Sequence, residues 1–425
     1  MMMAMDRRAL IGALGLGVAA STVTAQAQKA ASPPQTELTD RIAARAQENR
    51  HRLDFDGATF SGPAWDLMLS EGRQARFFCI GEEHGIAENP KLAAQLFHAL
   101  TECGYRKACV EISPPLATDM DRAARGGVEG LRAMFEDPRA AVAFFGMREE
   151  AEWIAAVRDA VGGREQAIWG LDYEVGGTGR MIERLRAKRK PRSAEGPLQA
   201  LYDAAEQAAA HYGSTRNPQF IFSFSGDPTL VRAVREAWPQ PDADAAWMLE
   251  TLEETLAINQ LWVSGQGWAS NQRRAAFNRA NFRRYWEGED DKPKVMFKFG
   301  ASHMVRGLSH TQVLDVGTQI SELAESRGEN SFHVAVLPGA GRQVAQFDPS
   351  AWTYRPSGAG TYEDQGMTPL TSSAYPEAFT LIDLRPIRPL AFGRRHKALD
   401  ADLVRTIHGY DALLVMSGST PSSNL

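Results

Sequence analysis

The sequence predicts an α/β fold with a central, largely parallel sheet flanked by helices, and with an α-helical cap insertion. Short apolar runs of strand length alternate with segments of helical periodicity, which is the pattern of βαβ units. Several of these runs stop at a glycine and are followed by carboxylates or a histidine. Because open α/β sheets bind ligands at the carboxyl ends of their strands, these polar clusters predict a functional site.

The first residues have the pattern of an export signal. Arg7-Arg8 stand before an uncharged, weakly apolar run, and Ala25-Gln26-Ala27 fits a small-x-small cleavage site. The paired arginines favour the twin-arginine route, and the Sec route is the alternative. We therefore expect residues 1–27 to be a signal peptide that directs export to the periplasm. Residues 28–50 are then a leader and first helix, and residues 51–425 an α/β domain.

Composition narrows the class of partner. The chain has 47 basic and 52 acidic residues, a formal net charge of −5, and this mild acidity argues against a nucleic-acid partner. No later run approaches the roughly 18 uninterrupted apolar residues that a membrane span requires, so no stable membrane insertion is expected after signal removal. The expected partner is a small-molecule substrate. Cys79 and Cys109 lie within apolar runs and are predicted to be buried hydrophobes.

The most informative stretch is an apolar run that delivers acids and an imidazole at its end. Phe77 to Ile80 are bulky and β-prone, which predicts a strand buried on both faces. Glu82, Glu83 and His84 follow at its carboxyl end, and Glu88 stands just before a helix that begins at Asn89-Pro90. For Glu88 both helix capping and a functional role fit the position.

Two further strands end in acids. The run from Lys107 to Ser113 contains Glu111, and the run from Gln166 finishes with Asp172 and Glu174. If these strands are parallel neighbours of the first, joined by right-handed crossovers, their acids open onto the same rim of the sheet.

The second histidine motif follows a helical stretch. From about residue 178 to 290 the pattern is helical, as at Ala245, Leu249, Leu252 and Leu256, which predicts an insertion that caps the acidic rim. A strand from Lys294 to Gly300 then leads to His303, with Arg306 soon after.

The remaining elements follow from the same signals. The predicted elements are a helix from about Glu37 to Arg52, a helix from Thr311 to Glu325, a strand from Phe332 to Leu337, a long loop from Gly339 to Pro376, strands at Phe379 to Leu384 and Asp411 to Met416, and a polar tail from Ser417 to Leu425.

Three kinds of chemistry fit two histidines and several carboxylates at one rim. In metal-independent hydrolysis, one imidazole takes a proton from water, a carboxylate fixes its tautomer, and the other imidazole steadies the oxyanion. Gly-x-Ser-x-Gly is absent, so water activated by His84 is the economical nucleophile. Alternatively, Glu82, His84, Glu111 and His303 are ligands of a divalent metal. The third possibility is that this rim of the sheet is a ligand-binding site without catalysis, for example a site for haem.

The motifs resemble a known family. Gly81-Glu-Glu-His-Gly-x-x-Glu88, the strand with Glu111, Ile168-Trp-Gly-Leu-Asp172 and Gly300-Ala-Ser-His303 are similar to motifs of the erythromycin esterase family. They also resemble the wider superfamily that contains ChaN-like haem-uptake proteins and TraB or Tiki-type proteases. Arg274 lies in a segment similar to the arginine-rich helix that precedes the second histidine strand of the esterases.

The resemblance implies hydrolysis of an ester or lactone without a cofactor. It implies that His84 is the general base, that Glu82 and Glu111 belong to its carboxylate shell, and that His303 is the second active-site imidazole. The residues expected to contact the substrate are Glu83, Glu88, Asp172, Glu174, Arg274 and Arg306.

Overall fold

The computed structural model describes residues 33–137, 139, 141–163, 165–359 and 366–425, which form two compact units. The first unit contains the described residues up to Tyr105 together with Lys294–Gln346 and Arg355–Ser422. The second contains the described residues of Arg106–Pro293, Phe347–Tyr354 and Ser423–Leu425. The signal peptide expected over residues 1–27 and the start of the leader lie outside the described residues.

The described chain has the following strands and helices. The strands are β1 (Arg50–Phe55), β2 (Phe60–Ser61), β3 (Ala75–Glu82), β4 (Tyr105–Val110), β5 (Ile168–Gly170), β6 (Lys294–Gly300), β7 (Asn330–Pro338), β8 (Gln343–Asp348), β9 (Thr353–Gly358), β10 (Phe379–Asp383) and β11 (Ala412–Met416). The helices before the insertion are α1 (Pro33–Glu48), α2 (Pro63–Gln74), α3 (Glu88–Leu100), α4 (Pro114–Ala123), α5 (Gly127–Phe135) and α6 (Arg148–Val161). The others are α7 (Thr178–Ala187), α8 (Glu195–Thr215), α9 (Phe222–Ser225), α10 (Pro228–Ala237), α11 (Ala243–Val263), α12 (Gly267–Gly288), α13 (Ala301–Met304), α14 (Val316–Ser326), α15 (Thr368–Thr371) and α16 (Ala401–Gly409).

The sheet of the first unit is parallel where it carries the predicted site. Its strands lie in the order β2-β1-β10-β11-β7-β3-β6, and the pairings of β11 with β7, β7 with β3 and β3 with β6 are parallel. The residues from Phe77 to Ile80 in β3 are almost completely buried, as predicted for a strand covered on both faces. The α/β fold class with a largely parallel sheet flanked by helices is confirmed.

The other edge of this sheet is antiparallel, and it was not predicted. The helix expected to reach Arg52 ends at Glu48, and Arg50–Phe55 pairs antiparallel with β10. In β1 only Leu53 is fully buried, and the other five residues are half-buried or exposed. Pairing with a strand more than 300 residues away overrides the polar composition that favoured helix.

The second unit contains the predicted helical insertion. Strands β4 and β5 pair in parallel, with Cys109 opposite Trp169. Helices α7 to α12 then follow, and no strand occurs among the described residues between Thr178 and Gly288. Ala245, Leu249 and Leu256 on α11 are buried, which agrees with the helical periodicity of the sequence.

Two segments expected to be irregular have defined structure instead. The long loop predicted from Gly339 to Pro376 contains β8 and β9, which form a separate two-stranded sheet, and the short helix α15. Val344 and Phe347 of β8 are buried. The many glycines around these apolar residues favour a loop, so the strand is not predicted from the sequence. The polar tail predicted from Ser417 to Leu425 contains two buried residues, Ser419 and Ser422. Among the described residues, no helix combines the length and apolar character needed to cross a membrane.

Candidate active site

His84 is held by a carboxylate from the end of its own strand. Glu82 is the last residue of β3, and its Oε1 lies 2.9 Å from Nδ1 of His84. Both side chains are largely buried, with 3% and 11% of their surface exposed. Because a carboxylate only accepts, Nδ1–H of His84 donates, and Nε2 is then the basic ring nitrogen. This is the tautomer that a general base needs.

Glu82 stays ionised because two further side chains bind it. Lys298 on β6 donates to Oε1 at 2.7 Å, and Asn89 on α3 donates to Oε2. Burial by itself raises the pKa of the Glu82 carboxyl. The Lys298 ammonium and the His84 hydrogen bond lower this pKa by more than burial raises it, so the pKa lies below its usual value. The result is a buried, charge-balanced carboxylate with a fixed orientation.

His303 is held in a similar way by a residue that is distant in sequence. It lies in the short helix α13 directly after β6, and its Nδ1 is 2.7 Å from Oδ2 of Asp315. Asp315 is the N-cap residue of α14, where its other oxygen accepts a hydrogen bond from the Val316 N–H at 2.7 Å. A cap that orients a helix therefore also orients an imidazole.

The two histidines follow neighbouring strand ends. In the parallel register of β3 and β6, Glu82 is opposite Gly300, so His84 and His303 come two and three residues after paired positions. Gly81, one residue before Glu82, packs closely against Tyr410, because a Cβ on Gly81 would lie 2.6 Å from the Tyr410 hydroxyl. Both imidazoles therefore follow the same rim of the first unit's sheet.

The first unit contains three of the predicted substrate contacts, and each of these residues makes hydrogen bonds within the protein. The Glu88 carboxylate accepts hydrogen bonds from the Thr420 N–H and hydroxyl, and it does not cap α3, whose N-cap is Ala87. The Arg306 guanidinium donates to Asp411, which also binds the His333 N–H. The backbone N–H of Glu83 donates to the carbonyl of Val336 at 3.0 Å.

The predicted acids of the second unit form a cluster around Arg274. Its Nε lies 2.9 Å from Oδ1 of Asp172, and its Nη2 lies 2.6 Å from Oε1 of Glu111. Arg274 belongs to α12, so this helix of the insertion covers the carboxyl ends of β4 and β5. Each carboxylate is buried and paired, as buried charges must be.

Glu174 has a structural environment within the same unit. Its Oε1 accepts hydrogen bonds from the backbone N–H groups of residues 175 to 177, and its Oε2 accepts one from the Ser113 hydroxyl at 2.6 Å. Burial raises the pKa of the Glu174 carboxyl above its usual value, and these hydrogen bonds only partly offset that effect. The carboxylate thus organises the turn that follows β5.

Sequence reasoning missed three residues that complete the imidazole environments. They are Asn89, Lys298 and Asp315. Lys298 had a visible signal, since it interrupts the apolar run Val295-Met-Phe-Lys-Phe299 in a strand. Asp315 lies inside the helix predicted from Thr311 to Glu325, whereas the observed helix α14 begins at Val316 and Asp315 is its N-cap. Its contact with His303 depends on how the chain folds back on α13.

Metal ligation is the alternative interpretation of Glu82, His84, Glu111 and His303. Over the ranges that the structure describes, no group of three or more His, Cys, Asp or Glu side chains is arranged to hold a metal ion. The divalent-metal and haem alternatives stay predictions.

Comparison with solved structures identifies the fold. A protein of Bacillus cereus matches with a TM-score of 0.58 at 15% identity, covering 91% of this chain and 99% of that one. A succinoglycan biosynthesis protein matches with a TM-score of 0.57 at 15% identity, covering 92% and 99%. A histidine-to-asparagine mutant of erythromycin esterase EreC, in its open conformation, matches with a TM-score of 0.54 at 16% identity, covering 84% and 94%. No family model matches the sequence, and no curated protein is significantly similar to it.

These matches confirm the fold that the sequence motifs implied. The chain shares its α/β fold with erythromycin esterase EreC over most of its length.

Proposed function

We propose that the protein is an exported hydrolase that cleaves an ester or lactone with water activated by His84, without a covalent intermediate and without a cofactor. The observation that carries this proposal is the pair of imidazoles after neighbouring strands, each bound through Nδ1 to a carboxylate. The shared fold with an esterase supports the hydrolase class.

In the proposed reaction, Nε2 of His84 removes a proton from a water molecule as its oxygen attacks the substrate carbonyl. The carbonyl electrons move to the oxygen, and Nε2–H of a doubly protonated His303 donates to this oxyanion. The intermediate then collapses, the bond to the alcohol oxygen breaks, and His84 returns its proton to the leaving alkoxide. The products are a carboxylic acid and an alcohol, or one hydroxy acid from a lactone.

Charge explains why the two imidazoles take different roles. Glu82 is balanced by the full positive charge of Lys298, whereas Asp315 accepts from a backbone N–H at a helix N-terminus. In this proposal His84, beside the ion-paired Glu82, is the base, and His303, beside Asp315, donates to the oxyanion. The predicted role of Glu111 in the carboxylate shell and the six predicted substrate contacts remain part of this proposal.

A substrate screen with two histidine variants tests the proposal. The purified protein is assayed against chromogenic esters, lactones and amides, and His84→Gln is expected to lower kcat by about 10²- to 10⁴-fold, the range for loss of a general base. The matched control is His98→Gln, because His98 is exposed on α3 and its change should leave turnover unchanged. Full turnover by a folded His84→Gln variant would show that His84 is not the base.

Metal analysis and an absorption spectrum test the cofactor-free part. We expect turnover to survive chelation and the spectrum to lack a Soret band. Stoichiometric metal or bound haem in the purified protein would overturn this part of the proposal and favour a binding protein or a metal-dependent hydrolase.

A further inference from the structure

A segment near the end of the chain is seated on the turn that carries His84. This segment, Thr420–Ser422, is here called the strap. The Ala87 N–H donates to the Thr420 carbonyl at 2.9 Å, and the Ser422 N–H donates to the Gly85 carbonyl at 2.9 Å. Ile86 and Pro421 form an antiparallel bridge between these two bonds. The strap therefore pairs with the turn as a short strand would.

A side chain of the turn strengthens this pairing. The Glu88 carboxylate is 6% exposed, and it accepts from the Thr420 N–H at 2.9 Å and from the Thr420 hydroxyl at 2.8 Å. Hydrogen bonds to a buried carboxylate are among the stronger ones in proteins. One residue of the strap thus satisfies both oxygens of the acid that closes the turn.

Strand β8 also contacts the turn. The Ala345 N–H donates to the Gly85 carbonyl at 2.9 Å, so that one carbonyl is bound by both β8 and the strap. Gly85 has a φ of 88°, and a Cβ on it would collide with the backbone of Ala345. The turn is thus held by the strap and by β8, and its first end is held by the bonds of Glu82 to Lys298 and Asn89.

We infer that the strap is a positioning element for the His84 base, and that Thr420 is its anchor on Glu88. This inference rests on the proposed function of His84. The His84 imidazole lies on a five-residue turn between Glu82 and Glu88. Its orientation is fixed only if both ends of the turn are fixed, and Thr420 fixes the second end. An element that only added stability would change the melting temperature, whereas a positioning element changes kcat in the folded protein.

Thr420→Val tests this role, because valine keeps the shape of threonine and removes its hydroxyl donor. Small misplacements of a catalytic group are costly, so we expect kcat to fall by about tenfold while KM changes less than about twofold. Thr420→Ser restores the hydroxyl and is expected to recover most of the wild-type kcat. Glu88→Gln should lower kcat to a similar extent, and the double variant should be no worse than either single one, because both changes break the same contact.

The matched control is Ser419, the residue directly before the strap. The Ser419 hydroxyl is buried and has no hydrogen-bond partner among the described residues, so Ser419→Ala should leave kcat unchanged. A wild-type kcat in folded Thr420→Val, or an equal loss in Ser419→Ala, would overturn the inference.

Hydrogen exchange separates failure of the strap from failure of the proposed function. We expect the Ala87 amide to exchange faster in Thr420→Val than in wild type and Ser419→Ala, since its acceptor is the Thr420 carbonyl. Turnover that persists in His84→Gln would contradict the proposed function. The exchange rates of the Ala87 amide would still show whether the strap holds the turn. An Ala87 exchange rate that is the same in all three proteins would show that Thr420 does not hold the turn.

Discussion

The two imidazole–carboxylate pairs of the first unit reach the same geometry by different means. His84 and Glu82 are two residues apart, and their orientation depends on Lys298 and Asn89 from a neighbouring strand and helix. His303 and Asp315 are twelve residues apart, and their orientation depends on the local N-cap of α14. The first carboxylate is thus fixed by tertiary contacts and a buried charge, and the second by local backbone structure. We expect the two pairs to respond differently to loss of charge.

Loss of the Glu82 charge should disrupt the His84–Glu82 pair and have the largest effect on kcat. In Glu82→Gln the amide no longer fixes the His84 tautomer, and we expect kcat to fall by about 10³-fold, or about 4 kcal/mol. Steady-state kinetics with the best substrate of the screen measures this. Wild-type kcat in this variant would mean that the Glu82 contact has no part in catalysis.

Removal of Lys298 should show the cost of the buried charge. Lys298→Met leaves the Glu82 carboxylate buried without its counter-charge, and we expect the free energy of unfolding to fall by about 3 kcal/mol. Urea denaturation measures the loss. The double variant Glu82→Gln with Lys298→Met is the control, and it should recover a large part of that stability, because neither charge remains. If the losses simply add, the two side chains are not energetically coupled.

A third histidine shows how an imidazole behaves without a carboxylate on its ring. Nδ1 of His333 donates to the Met304 carbonyl at 2.7 Å, and its Nε2 is 3.0 Å from the Ser331 hydroxyl. Burial, with the nearby Arg306 charge, lowers the pKa of His333 to about 3. The unfolded chain takes up a proton below about pH 6.5, whereas the folded protein resists it, so stability is lost as the pH falls below that value.

The expected loss from His333 between pH 7 and pH 5 is about 2 kcal/mol of unfolding free energy. Urea denaturation at the two pH values measures it. His333→Asn keeps a donor for the Met304 carbonyl and removes the titrating group, so its stability should fall less over this range. An unchanged pH dependence in the variant would assign the acid sensitivity to other groups.

Loss of the Asp315 charge should have the smallest effect. In Asp315→Asn the side chain still accepts from the Val316 N–H, so helix α14 keeps its cap and the stability loss should stay below about 1 kcal/mol. The imidazolium form of His303 loses its counter-charge, and we expect kcat to fall by about tenfold. Kinetics and urea denaturation together check this. A stability loss as large as that of Lys298→Met would remove the distinction between the two pairs.

The parts of the site that could be predicted are those encoded by neighbouring residues. The apolar run of β3 followed by Glu82 and His84, and that of β6 followed by His303, specify a strand and its polar end within about ten residues. Parallel pairing then brings these ends to one rim, as the fold class implied.

The parts that were missed depend on contacts between distant segments. Lys298 meets Glu82 across 216 residues, and Thr420 meets Glu88 across 332. The lysine within the apolar run of β6 is visible in the sequence, but nothing near it identifies Glu82 as its partner. A threonine in a polar segment gives no signal at all, since such residues are common in other settings. The predicted helix extends over the first residues of β1, up to Arg52, for the same reason, because the pairing of β1 with β10 outweighs local propensity.

The position of β3 in its sheet determines when the molecule can fold. Both neighbours of β3, namely β6 and β7, begin more than 200 residues later in the chain. Contacts between such distant segments slow folding, because a large loop must close before the strand gains any partner. A nascent chain that ends before Lys294 would therefore expose the apolar edge of β3 without either neighbour, and such a fragment should require a chaperone to avoid aggregation.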